Sequence, residues 1–102
     1  MKIDINHPVL AVNASLKFFQ LQTIPGHLIL LDDRIVFKSI EPIQVANVKE
    51  TFLFTDIQSL KTGLSFSPFR ITIMDNDGET WIFDQVQRAE AKKFVELYES
   101  IR

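Results

Sequence analysis

The sequence predicts a mainly β domain, with six or seven short antiparallel strands bent around one core and a C-terminal helix plugging the open end. Three observations predict it. Apolar and polar residues alternate with period two in short runs between Ser15 and Phe83, which is the signature and length of strands. Turn residues alone separate these runs, so no crossover helices are present to build a parallel sheet. After Asp84 the period lengthens to that of an amphipathic helix.

The elements follow in order. Lys2-Ile3-Asp4-Ile5 alternates, so residues 1–14 read as an N-terminal arm or extra strand, either reaching a neighbouring subunit or docking loosely at home. Residues 15–102 read as the domain. From Ser15, Leu16 and Phe18 share one face while Lys17, Phe19 and Leu21 share the other. Gln22-Thr23-Ile24-Pro25-Gly26 reads as a break, because Pro25 has no amide hydrogen and Gly26 permits unusual dihedrals. His27–Leu31 and Arg34–Lys38 form the clearest hairpin, around two short polar residues that tolerate positive φ, Asp32 and Asp33. Leu28, Leu30, Ile35 and Phe37 point inward, which turns Ile29, Leu31 and Val36 outward. Glu41-Pro42 ends that hairpin. Val48–Phe54 reads as a strand, Thr55-Asp56 as a bend and Ile57–Lys61 as a short strand. Gly63–Pro68 is a loop carrying Leu64 and Phe66. Phe69, Ile71 and Ile73 then alternate with polar neighbours, Asp75-Asn76-Asp77-Gly78 turns, and Thr80–Phe83 returns with Trp81 and Phe83 inside. Val86, Phe94, Leu97 and Ile101 make the helix stripe, widened by Ala91 and Tyr98.

Bulk properties narrow the function. The chain has 102 residues, 46% hydrophobic and 24% charged, which is ordinary composition for one globular domain. With no cysteine, disulfides, thiolate metal sites and a cysteine nucleophile are excluded. A formal charge of −2 argues against a nucleic acid or an anionic membrane held by bulk electrostatics. No signal-peptide pattern opens the chain, and no apolar run approaches the roughly 20 residues of a membrane span, so the expected location is cytoplasmic.

Gly26-His27-Leu28-Ile29-Leu30-Leu31-Asp32-Asp33-Arg34-Ile35-Val36-Phe37 resembles the signature hairpin of GRAM domains. Phe52–Leu60 is similar to the following segment of that family, with Asp56-Ile57 at its centre. Phe69–Ile73, Asp77-Gly78 and Trp81–Phe83 resemble its last hairpin. The likeness covers residues 15 to 101 and extends to the bacterial pleckstrin-homology-like domains. It implies a barrel of about seven antiparallel strands in two near-orthogonal sheets, one capping helix, and a binding role in place of catalysis. Relatives that hold phosphoinositides carry clustered basic residues around the loop between the first two strands. Here Leu21-Gln22-Thr23-Ile24-Pro25 has none, which leaves Lys17 and Lys38 as a weak anion site.

Candidate sites are few. His7 and His27 have no second ligand at metal-binding spacing. Aligning Gly78 with the glycine of a calcium loop puts Ile73 at a ligand position, so Asp75–Gly78 reads as a turn. Asp32 and Asp33 point apart on a hairpin, and no serine sits in a nucleophile elbow. The expectation is therefore no catalytic residue, no metal and no cofactor. Outward apolar residues remain: Ile29, Leu31 and Val36 on the hairpin, Ile24 and Pro25 before it, and Leu64 and Phe66 in the later loop. An antiparallel sheet with apolar residues on both faces needs something on the outer one. The expected partner is a protein, a second copy of the chain included, with contact of apolar loops with membrane lipid as the alternative and the N-terminal arm as an intramolecular cover. No nucleic acid is expected.

Overall fold

The fold comes from a computed structural model of the chain, which describes residues 9–19, 22–40, 50–62 and 70–102. Seven strands and one helix appear in the order β1 (Leu10–Phe19), β2 (Gln22–Leu30), β3 (Arg34–Ser39), β4 (Thr51–Leu53), β5 (Ile57–Thr62), β6 (Ile71–Asp75), β7 (Thr80–Asp84) and α1 (Arg88–Ile101). Every paired neighbour is antiparallel, and the hydrogen-bonded order is β4-β3-β2-β1-β7-β6-β5. The seven strands and C-terminal helix match the expected architecture.

β1 belongs to both halves of the barrel. It pairs with β2 from Leu10 to Phe19, with an irregularity at Phe18, and with β7 through Ser15, Lys17 and the intervening Leu16. Its first residue is Leu10, five positions before the expected start at Ser15. Residues 10–14 are therefore strand residues of this sheet, with Val12 and Ala14 buried in its core. Residues 1–8 of the arm, and Leu64, Phe66 and Pro68 of the later loop, lie outside the described residues.

The expected break at Gln22–Gly26 is instead the first half of β2. Pro25 is tolerated because of where its nitrogen faces. Its carbonyl accepts the Ile40 N–H at 3.0 Å on the β3 side, one position past Ser39, the last residue of β3. The hydrogen that proline lacks would have faced the same side, beyond the end of the ladder. Gly26 is needed for closeness, not for dihedral freedom. A Cβ there would run into the Lys38 carbonyl oxygen and lie 2.8 Å from both Phe37 Cζ and Ser39 Cα.

The inward residues close one core. Leu28, Leu30, Ile35 and Phe37 are buried as expected, with Leu16, Phe52, Ile71, Ile73 and Phe83. Four aromatics join the halves: Phe83 lies 5.6 Å from Phe37 and 6.0 Å from Phe52, and Trp81 meets Phe52 edge-on at 5.2 Å. From the helix stripe, Val86, Ala91, Phe94 and Tyr98 are buried, Leu97 packs at the margin and Ile101 is exposed. α1 touches β5 and β1, so it spans the two halves as the expected plug.

Turns hold the ends. Asp32 and Asp33 form the two-residue connection, closed by the Leu31 N–H on the Arg34 carbonyl at 2.9 Å. Neither takes the expected positive φ; among described non-glycine residues only Gln85 does, at +61°. Gln85 sits at the junction of β7 and α1, where its side-chain oxygen accepts the buried Ser15 hydroxyl at 3.0 Å. Phe54, expected in a strand, opens a 3₁₀ turn running to Asp56. The buried Asp75 carboxylate accepts the Asp77 and Glu79 N–H groups at 2.9 Å each, and Gly78 supplies the positive φ.

Two substitutions test this packing. Gly26→Ala should cost about 2–3 kcal/mol, because rigid backbone must shift. Phe94→Ala should cost about 3–5 kcal/mol through the cavity left under α1. Urea unfolding followed by Trp81 emission measures both, and wild-type stability in Gly26→Ala would refute the close approach.

Candidate interaction surface

The register fixes which residues share the outer face of the β1–β4 half. Nearest the hairpin turn, Leu31 and Arg34 lie side by side, with Leu53 beyond Arg34 and Val9 adjoining through its N–H on the Leu30 carbonyl at 2.9 Å. The next row is Ala11, Ile29, Val36 and Thr51, and the one after it is Asn13, His27 and Lys38. Apolar character is thus concentrated in two rows at one end of the face, and His27 is exposed in the polar third.

Burial corrects part of the expectation. Ile29 and Leu31 are only 8% and 4% exposed, although they point away from the central cluster and do not belong to it. They are covered residues, not open contact points. Val36 is half-buried. The accessible apolar atoms are at the margins, on Val9 and Leu53, at 39% and 38% exposure. Sequence reasoning missed both. Val9 fell in the segment read as an arm, and Leu53 becomes outward only once Phe52 is fixed inward by its neighbours. Ile24 is half-buried against the core while Pro25 is exposed, and Ile40 beside it is 64% exposed.

Lys17 and Lys38 do not converge. Lys17 stands opposite Thr23 and Lys38 opposite His27, four residues apart on β2, and the two lysines are on strands either side of it. Strand dimensions put them about 13 Å apart along the sheet and about 10 Å across it. Nearby basic groups are already engaged. Arg34 makes a two-bonded pair with Asp33 at 2.8 and 3.1 Å, and its guanidinium holds the exposed Asp33 carboxyl below the ordinary carboxylate value. Arg70 pairs with Asp84 at 2.7 and 3.3 Å across the β6–β7 register. No group of three or more histidine, aspartate or glutamate side chains among the described residues is placed to hold a metal.

A second surface feature lies at the C-terminal end of α1. Phe54, Thr55, Tyr98 and Arg102 line an open cleft of about 520 Å³. Phe54 meets Tyr98 edge-on at 5.0 Å, and the Arg102 guanidinium lies over the Tyr98 ring at 5.8 Å while bonding Glu99 at 2.9 Å. The helix stripe contained Tyr98, but no sequence signal joined it to Phe54, some forty residues earlier.

No family model matches the chain, and no curated protein does. Solved structures match its shape. The C-terminal domain of an unknown protein from Leishmania infantum superposes with a TM-score of 0.69 at 13% identity, over 91% of this chain and 82% of that one. The structure of human RhoA in complex with the DH/PH fragment of PDZRHOGEF matches with a TM-score of 0.77 at 10% identity, over 92% of this chain. The fold is pleckstrin-homology-like. Further DH/PH structures match with TM-scores of 0.76 and 0.74. This chain spans 28–29% of the DH/PH chains it matches. At such identities the likeness speaks for the fold alone.

The cleft gives a pH test. Burial pushes the Tyr98 phenol above its ordinary value of 10.0, against a smaller opposing effect of Arg102. The folded chain therefore holds that proton more tightly than the unfolded chain, so the contribution of Tyr98 to stability is full and independent of pH below 10 and is lost as pH rises above it. Tyr98 is the single tyrosine, so phenolate absorbance reports it alone. A phenol titrating at or below 10 in the folded protein would contradict the burial.

Proposed function

We propose that this domain is a non-enzymatic binding module of GRAM type that associates with another protein through the outer face of β1–β4. One observation carries the reading: apolar rows on the side of the sheet turned away from the core, with Val9 and Leu53 exposed at their margins beside half-buried Val36. Such a margin favours association, because removing apolar surface from water contributes roughly 25 cal/mol per Å². The DH/PH fragment determined in complex with RhoA supports a protein as the class of partner. A second copy of the chain is one such protein. On this reading the protein works in the cytoplasm and needs no cofactor. Light scattering from about 10 µM to 1 mM should show a mass that rises with concentration, and Leu53→Glu with Val36→Lys should abolish the rise. A constant monomer mass for wild type overturns the self-associating form of this reading.

A second reading has its own observation. Ile40 and Pro25 form an exposed apolar step at the far end of β2 and β3, joined by the Ile40 N–H on the Pro25 carbonyl. Peripheral contact with lipid would use this step. Co-flotation with neutral vesicles, lost in Ile40→Asp, is the expected result, and failure to float with either neutral or anionic vesicles removes the reading.

A further inference from the structure

The connection from β7 to α1 is short and strained. Gln85, Val86 and Gln87 are the whole of it. Gln85 has a φ of +61°, a region that a residue with a Cβ enters at a cost. Its side-chain oxygen is held by the hydroxyl of buried Ser15 at 3.0 Å. The residue before it is fixed from both sides. Asp84 stands opposite Ser15 in the β1–β7 register and accepts the Arg70 guanidinium at 2.7 and 3.3 Å. The residues after it start the helix without reinforcement, because Gln87 at the N-cap makes no side-chain cap bond. Rotation in this connection therefore falls on Gln85 and not on the end of β7.

The strands keep their pairing without α1. The order from β4 to β5 runs through strand–strand bonds, and the contacts of Phe83 with Phe37 and Phe52, and of Trp81 with Phe52, use no residue of the helix. What α1 adds is a cap. Val86, Ala91, Phe94 and Tyr98 are buried beneath it, while Lys92, Lys93, Glu96 and Glu99 are exposed on its other side. We propose that α1 is a hinged lid: it swings off the barrel as one unit, pivoting at Gln85, with the Ser15 hydroxyl as its latch and the strain at Gln85 released on opening. Tyr98 and Arg102, two of the four residues lining the cleft, travel with the lid. The cleft is thus assembled only in the closed state, and any occupant of it favours closure by the free energy that closure lends to its binding. The outer face of β1–β4 is unchanged in either state, so the lid operates whichever partner that face takes.

Native-state hydrogen exchange, read amide by amide, separates opening of α1 from global unfolding. In the unsubstituted protein the Ala91–Tyr98 amides should be protected about tenfold or more weakly than the slowest amides of β2 and β3. Their rates should rise together at low urea, as expected of one cooperative opening. Ser15→Ala should speed α1 exchange about fivefold to tenfold by removing the latch. Ile35→Val, which loosens the core under β3, should speed the slowest β2 and β3 amides and leave α1 unchanged. Acceleration of α1 in step with β2 and β3 in Ile35→Val overturns the proposal, because the helix would then open only when the whole domain unfolds. So do α1 rates that scatter and ignore urea, the mark of local fraying, and so does α1 exchange indifferent to Ser15→Ala.

Discussion

Phe83 is the residue on which the barrel depends. Its strand pairs with both β1 and β6, and its ring reaches Phe37 and Phe52 on the other half of the sheet. Among the described residues the edge strands β4 and β5 are not neighbours in the hydrogen-bonded order, so backbone bonding between those residues does not by itself close the barrel. Closure falls to the aromatic contacts of Phe52 with Phe83 and Trp81, and to α1 across β1 and β5. Hydrophobic burial thus does at the open seam what the ladder does elsewhere.

Polar groups settle the ends of this core. The Asp75 carboxylate is buried yet fully used by backbone donors, and no buried side-chain nitrogen or oxygen among the described residues lacks a partner. Ser15 and Gln85 tie the junction before α1 back to β1, and the bond helps hold Gln85 in a conformation that glutamine rarely adopts. These bonds contribute modest energy each, but they decide where the helix starts and how it meets the sheet.

Much of this was legible in the sequence, for reasons that mark the limits. The hairpin from Leu28 to Phe37 and the returning strand at Phe83 were readable because period-two alternation and short polar turns are local signals. The stripe of Phe94 and Tyr98 was readable because helical periodicity is local too. Leu10–Ala14 was hidden, since Ala11, Asn13 and Ala14 give a weak alternation that only pairing with β2 makes into a strand. Pro25 and Gly26 misled, because their usual role as breakers is overridden when a ladder ends beside one and a backbone crowds the other. The burial of Ile29 and Leu31, and the meeting of Phe54 with Tyr98, are products of tertiary packing that no local pattern records.

The bond from Ser15 to Gln85 spans seventy residues of sequence. A chain emerging from a ribosome has made β1 long before its second neighbour, β7, exists. Until that last strand arrives, the free edge of β1 at Leu16 stays open to stray pairing, and loop closure over such a distance is slow. The nascent domain is thus most exposed to aggregation just before its final hairpin is complete.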